Sequence, residues 1–112
     1  MVAKNFIEAI PLTSINANTF TGNYQAVNGT GTPEACTLIR FTNDTTVDVT
    51  ISFDGVTPHD YLRTGDKLEL NLQANSQPSN YASSLKQGSV VYVAAAGGTG
   101  LLYFAGYYNS KS

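Results

Sequence analysis

Residues 37–55 alternate apolar and polar side chains so regularly that they restrict this part of the chain to β-structure. The second half of the segment has an apolar residue at every other position: Val47, Val49, Ile51 and Phe53. A period of two places successive side chains on opposite faces of a strand, so one face is apolar. Ile39 and Phe41 alternate in the same way, and the Asn-Asp-Thr-Thr sequence at 43–46 is typical of a turn. The pattern predicts an antiparallel hairpin whose apolar face must be covered by a second sheet.

Other short segments of β type, separated by turn sequences, occur along the whole chain. With the two strands of the hairpin, at 35–43 and 47–53, they give eight predicted strands; the other six are 6–12, 19–27, 60–63, 67–72, 89–96 and 101–108. The last two are predicted to form a second hairpin around the glycine-rich sequence at 97–100. We therefore predict an all-β chain: residues 1–112 form a single-domain β-sandwich of about eight antiparallel strands, with jelly-roll topology.

Two segments fall outside this regular pattern. Residues 73–87 are rich in Asn, Ser and Gln, contain Pro78, and form the longest predicted loop. A loop of this length is often functional or is ordered by a neighbouring molecule. Residues 1–12 precede most of the predicted sandwich and are interpreted as a contact arm, a kind of segment that a partner can order.

The composition limits the classes of partner. Charged residues make up 12% of the 112 residues, the net charge is -2, and six basic residues are scattered among eight acidic ones. A nucleic-acid surface needs clustered positive charge, so no nucleic-acid partner is expected. The apolar runs are much shorter than the roughly 20 residues of a spanning helix, so no membrane partner is expected. Few charges indicate a surface covered by protein partners, although threonine-rich strands of an ordinary β-protein give a similar composition.

The N-terminal sequence and the single cysteine bear on the compartment. The first ten residues lack the apolar core and cleavage site of a signal peptide, which predicts synthesis in the cytoplasm of the producing cell. Cys36 is the one cysteine, so no intrachain disulfide is expected and a reducing compartment fits. Its place in a predicted strand indicates a small buried side chain.

The predicted C-terminal hairpin is apolar or aromatic on both faces. An antiparallel strand that faces water should alternate, so this pair is either central and covered by loops or in contact with another subunit. Its many tyrosines favour the second interpretation, because tyrosine combines a large contact area with a polar end and is enriched in interfaces. The residues predicted to mediate self-association are Tyr92, Tyr103, Phe104, Tyr107 and Tyr108.

The sequence predicts no catalytic, cofactor or metal site. His59 is the only histidine, with Asp60 beside it and Asp54 nearby, but no Gly-x-Ser-x-Gly elbow is present and Ser52 lies in a regular strand. One histidine beside carboxylates on a turn is a weak metal site. The glycine-rich sequences lack the Lys-Ser/Thr and helix that hold phosphate. A loosely bound Ca²⁺ near Asp44 and Asp48 stays an open alternative.

Three sequences together resemble a known group of proteins: Asn-Asp-Thr-Thr-Val-Asp-Val-Thr-Ile-Ser-Phe-Asp-Gly at 43–55, His-Asp-Tyr-Leu at 59–62 and Tyr-Phe-Ala-Gly-Tyr-Tyr at 103–108. They are similar to small all-β virion proteins of tailed bacteriophages, most of all to the jelly-roll cement or staple proteins that decorate the heads of short-tailed phages. The resemblance covers residues 37–108. It implies a capsid-exterior protein that binds the major capsid protein, bridges coat subunits, and forms a small homo-oligomer, first of all a dimer.

Within this hypothesis, the C-terminal hairpin supplies self-association, and the arm and the long loop reach the coat subunits. The predicted coat-contact residues are Phe6, Ile7 and Tyr81. Three alternatives stay open: a tail, baseplate or head-fibre component; a carbohydrate-binding jelly roll that uses Tyr24, Tyr61 or Tyr81; and a small hydrolase that uses His59. The absence of tryptophan counts against the carbohydrate alternative, because sugar platforms favour that large ring.

Overall fold

A computed structural model of the chain describes residues 5–71 and 85–111, which form two antiparallel sheets packed face to face. The predicted β-sandwich is confirmed. The described residues contain nine strands and one short 3₁₀ turn at Ala17–Thr19: β1 (Asn5–Ala9), β2 (Thr13–Asn16), β3 (Gln25–Ala26), β4 (Leu38–Thr45), β5 (Val49–Ser52), β6 (Asp60–Leu62), β7 (Lys67–Asn71), β8 (Tyr92–Ala94) and β9 (Gly100–Lys111).

The strands pair in a nested order. The five-stranded sheet has the order β1-β9-β4-β7, with β2 also paired to β9, and the four-stranded sheet has the order β3-β8-β5-β6. The first strands therefore pair with the last, β3 pairs with β8, β4 with β7, and β5 with β6. Every pairing is antiparallel, as for one long hairpin folded over into two layers.

Neither of the two predicted hairpins forms. β4 lies in the five-stranded sheet and β5 in the four-stranded sheet, so the turn at 46–48 carries the chain across the sandwich. The same holds for β8 and β9, which the segment 95–99 connects across the layers. Alternation shows which face of a strand is buried but not which strand lies beside it, so a sheet-crossing corner and a tight hairpin look alike in sequence.

The crossing between β8 and β9 is held by the 3₁₀ turn. The Gly98 N–H donates to the Ala17 carbonyl at 3.1 Å, and the Gly22 N–H donates to the Ala95 carbonyl at 2.9 Å. Because these main-chain groups bond to each other, the crossing segment is fixed although it belongs to neither sheet. The predicted C-terminal hairpin thus becomes two strands that face each other across the core.

The core fills the space between the sheets with apolar side chains from both. Its fully buried members include Ile39, Phe41, Leu102 and Phe104 from the five-stranded sheet and Val49, Ile51, Val91 and Val93 from the other layer. The rings of Phe41 and Phe104 pack with centroids 5.1 Å apart. Cys36 is also fully buried, so its prediction as a small core residue is confirmed.

The extents of several strands differ from the predictions. The predicted strand at 6–12 ends at Ala9, and a strand that was not predicted, β2, begins at Thr13 beyond Pro11. Of the predicted strand at 19–27 only Gln25–Ala26 forms, because the 3₁₀ turn and Gly22, with a φ of 90°, bend the chain before it. Of the predicted strand at 89–96 only Tyr92–Ala94 forms. Most of the predicted loop at 73–87 lies outside the described residues; Leu85, near its end, forms a bridge with Cys36.

Candidate interaction face

The surface of the five-stranded sheet that points away from the core is here named the outer face. Its position follows from β9, where Leu102, Phe104 and Gly106 are buried while the residues between them are only partly buried. Side chains alternate between the two faces of a strand, so these intervening residues lie on the outer face. They are Leu101, Tyr103, Ala105 and Tyr107, and they form an apolar and aromatic row along the middle of the sheet.

Neighbouring strands extend this row on both sides. The register of β4 against β9 places Leu38 opposite Tyr107 and Arg40 opposite Ala105. Beyond β4, Glu69 of β7 lies opposite Arg40. On the other side of β9, Ala9 of β1 lies opposite Tyr107, and the polar residues Ser14 and Asn16 of β2 lie opposite Tyr103 and Leu101. The outer face therefore has an apolar row along β9 that is flanked by polar and charged residues on β4, β7 and β2. An apolar centre surrounded by polar residues is common in protein–protein interfaces.

A groove of about 330 Å³ crosses the outer face at the end of the sheet where β1 lies. Its walls are formed by Ile7, Thr37, Leu38, Arg40, Glu69, Asn71 and Tyr107. The Arg40 Nη2 donates to the Tyr107 hydroxyl at 3.4 Å, and the guanidinium carbon lies 6.0 Å from the centroid of that ring. The Arg40 Nη1 is 3.9 Å from the Glu69 carboxylate, a long and solvent-exposed pair that contributes little to stability. The groove thus combines apolar walls with a cation that is weakly paired and available to an incoming acceptor.

Three of the predicted contact residues lie on the outer face. Tyr103 and Tyr107 belong to the row along β9, and Ile7 of β1 is 64% exposed beside the groove. The sequence predicts self-association for the two tyrosines and coat contact for Ile7, whereas the structure places all three on one surface.

The other predicted contact residues do not join them. Phe104 is fully buried in the core, so its assignment to a contact surface is wrong: it occupies the inward position of β9. Tyr108 points to the opposite side of β9 from Tyr107 and donates to the Glu8 carboxylate at 2.9 Å, which raises the pKa of its hydroxyl. Tyr92 is in the four-stranded sheet and packs beside Gly55. Phe6 pairs through its backbone with Ser110, and Tyr81 lies outside the described residues.

The site also contains Arg40 and Leu38, which the sequence did not predict as contact residues. Their alternation with Ile39 and Phe41 already placed them on the polar side of the predicted strand. What the sequence did not reveal was that β9 lies beside β4, so the apolar row of one strand continues into Leu38 of the other.

The residues around the only histidine form a closed turn. The Ser52 hydroxyl is buried and donates to the Asp54 carboxylate at 2.8 Å, which also accepts the N–H groups of Val56 and Thr57 at 2.8 and 2.7 Å. These hydrogen bonds hold the pKa of Asp54 well below its usual range. The His59 Nδ1 accepts the Phe53 N–H at 2.9 Å. The Ser52 hydroxyl and the His59 Nδ1 therefore both take part in hydrogen bonds that hold this turn.

The other candidate residues of the sequence lie outside the turn at His59. Asp48 accepts hydrogen bonds from the Tyr61 hydroxyl at 2.6 Å and the Thr64 N–H at 2.9 Å. Within the described part of the chain, no three His, Cys, Asp or Glu side chains converge as metal ligands would. Tyr61 is 55% exposed on β6, and Tyr24 precedes β3, so these two tyrosines lie at opposite edges of the four-stranded sheet and share no sugar-stacking surface.

Comparison with known proteins adds no relative. No protein-family model, no curated protein and no solved structure matches the chain. Among the described residues, no helix has the length and hydropathy needed to cross a bilayer. The functional interpretation accordingly rests on the outer face and on the sequence features that led to it.

Proposed function

We propose that this chain is a non-enzymatic structural protein of a phage particle, a decoration protein that binds the outer surface of the capsid and bridges neighbouring coat subunits. The observation that carries the proposal is the outer face, where Tyr103, Tyr107 and Leu38 form a partly exposed apolar surface on neighbouring strands of the sheet. A sheet face of this kind suits binding to many equivalent sites on a symmetric shell, where shape and avidity matter more than charge.

The strand order supports the fold expected for this role. The nested pairing, first with last and inward to β5 with β6, is the order that one long hairpin adopts when it rolls into two sheets. We propose on this basis that the sandwich belongs to the jelly-roll class, which is common among viral capsid domains.

The proposal revises one part of the sequence-based hypothesis. Tyr103 and Tyr107 were assigned to self-association, but they share the outer face with Ile7, which was assigned to coat contact. We assign the part of the outer face formed by Tyr103, Tyr107 and Leu38 to the coat. Buried tyrosines near the centre of an interface commonly contribute most of its binding energy. Arg40, weakly paired in the groove, then adds a charge-assisted hydrogen bond to an acceptor of the coat subunit.

Binding of purified protein to particles of the encoding phage, after removal of the native copies, tests the proposal. We expect saturable binding of hundreds of evenly spaced copies, and at least about tenfold weaker binding for Tyr103→Ser and Tyr107→Ser. Tyr61→Ser is the matched control, because Tyr61 is exposed on the other sheet. Labelling in intact particles that shows a few copies at one vertex would instead assign the chain to the tail, baseplate or a head fibre.

A further inference from the structure

β1 is an edge strand with one open side. In the order β1-β9-β4-β7, it is the terminal strand. Among the described residues, no strand pairs with the edge of β1 that lies away from β9. An edge of this kind offers unpaired N–H and C=O groups to another strand.

The hydrogen bonds identify which residues of β1 present their backbone to the open side. The Ile10 N–H donates to the Gly106 carbonyl at 2.9 Å, immediately after the pair of Ala9 with Tyr107. Backbone groups alternate sides along an antiparallel strand, so Glu8 directs its N–H and C=O toward β9, as Ile10 does. Ile7 and Ala9 therefore direct theirs toward the open side.

β1 has less protection than the other edge strands of the two sheets. β7 carries Lys67 and Glu69, and β3 and β6 have only two and three residues. β2 has four residues and follows Pro11 closely. β1 has five residues, and Ile7 on its outer face is 64% exposed. Charged residues, proline and short length are the usual protections of a sheet edge. Of these, β1 has one charged residue, Glu8.

We propose that β1 pairs antiparallel with β1 of a second copy of this chain, across a two-fold axis at Ile7. This register places Ile7 opposite Ile7 of the second copy, Glu8 opposite position 6, and Ala9 opposite position 5. It pairs all five residues of β1, and the two outward-directed Ile7 backbones exchange hydrogen bonds. A register centred on Glu8 would place two carboxylates opposite each other, which is unfavourable. A register centred on position 6 would pair only residues 5–7 of the strand.

The pairing joins the five-stranded sheets of two copies into one sheet with a continuous outer face. The contact is isologous, so it closes as a dimer and leaves no further β1 edge for growth. It covers Ile7 while leaving Tyr103, farther along β9, available to another partner. This dimer goes beyond the proposed binding to the coat, and it rests on the open edge of β1 and not on the assignment to a phage particle.

Sedimentation of the full chain across a range of concentrations tests the dimer. We expect the wild type to reach twice its chain mass of 11.9 kDa. Ile7→Pro removes the outward N–H while keeping the bonds of β1 to β9, since proline is tolerated where the N–H faces away from the sheet. Ile7→Lys places two like charges opposite each other at the axis. Both variants should dimerise at least about tenfold more weakly, and their melting temperature should equal that of the wild type at concentrations low enough for all three to be monomeric.

Val56→Lys is the control, because Val56 is 78% exposed in the turn that follows β5 and lies far from β1 in the sequence. This variant should dimerise as the wild type does. A wild type that is monomeric throughout, or an Ile7→Pro variant that dimerises like the wild type, overturns the inference. Binding to phage particles is measured separately: a dimer that depends on Ile7 but never binds particles leaves this inference intact and removes the decoration role. Particle binding by a protein that is monomeric in solution would overturn this inference and support the decoration role.

Discussion

The side chain of Asn43 joins the two sheets by donating from its Nδ2 to the carbonyl oxygen of Leu62 at 3.1 Å. Asn43 belongs to β4 of the five-stranded sheet and Leu62 to β6 of the four-stranded sheet. The same Nδ2 donates to the Val47 carbonyl at 2.9 Å, and the Oδ1 accepts the Thr45 N–H at 3.1 Å and the Thr45 hydroxyl at 2.6 Å. One fully buried amide thus fixes the corner where the chain leaves one sheet and enters the other.

Substitution of Asn43 should strongly destabilise the fold. Asn43→Ala removes the four hydrogen bonds that the buried amide makes to Thr45, Val47 and Leu62, so we expect the free energy of unfolding to fall by about 3 kcal/mol. Asn43→Asp keeps the size but places carboxylate oxygens against two carbonyl oxygens, with a loss at least as large. Urea denaturation measures both variants. Asn18→Asp, at an exposed position, should change stability by less than about 0.5 kcal/mol; equal effects at both positions would contradict the corner role.

Gly100, at the start of β9, should be intolerant of a side chain. Its φ is 95°, and an added Cβ would meet the Asp44 carbonyl oxygen and lie 3.0 Å from the Thr45 Cα across the strand pair. Gly100→Ala therefore combines an unfavourable left-handed conformation with a backbone collision, and we expect a loss of about 3 kcal/mol. Gly65→Ala is the matched control, since Gly65 has a φ of 80° and open space around its Cα. It should lose only about 1 kcal/mol.

Cys36 should be unreactive in the folded protein. Its side chain is fully buried, and burial together with the nearby Glu34 carboxylate raises the pKa of its thiol. The thiolate is the reactive form, so labelling by a thiol reagent at pH 8 has to wait for local or global opening. We expect labelling to be at least about 100-fold slower in buffer than in denaturant. Rapid labelling of the folded chain would show that the bridge between Cys36 and Leu85 opens readily.

The sequence predicts faces in this protein better than it predicts neighbours. Alternation correctly identified Ile39, Phe41, Val49 and Ile51 as inward-facing, because burial of one strand face is a local property. It did not identify β9 as the partner of β4, because pairing depends on contacts between residues about 60 positions apart. The same distinction holds for the site. The sequence of its own strand predicts Tyr103 as a contact residue, whereas Leu38 joins the site only through its register with Tyr107.

The corner at Asn43 shows why the hairpin prediction failed. Asn-Asp-Thr-Thr is turn chemistry in a hairpin, and asparagine is also able to satisfy several buried backbone groups at once. Those two uses give the same sequence signal. Only burial separates them, and burial of Asn43 depends on Leu62 of the opposite sheet.

Asp54 should make the stability of the fold depend on pH in the acid range. The pKa of its carboxyl is lowered, first by the Thr57 and Val56 N–H groups and then by the Ser52 hydroxyl, so the ionised form is favoured in the folded state. A carboxyl whose folded pKa lies below its unfolded value, about 3.9, stabilises the fold fully above that value. That contribution is lost as the pH falls from about 4 toward the folded pKa.

Asp54→Asn should therefore lower the melting temperature at pH 7 and flatten its decline between about pH 5 and pH 2. Asp44→Asn, which removes one charge from an exposed position of β4, is the control and should keep the acid decline of the wild type. The carbon chemical shift of the Asp54 carboxyl reports its titration directly. A midpoint below about 3.9 supports the assignment, whereas a midpoint near that value would mean that the turn around Ser52 does not hold the carboxylate in solution.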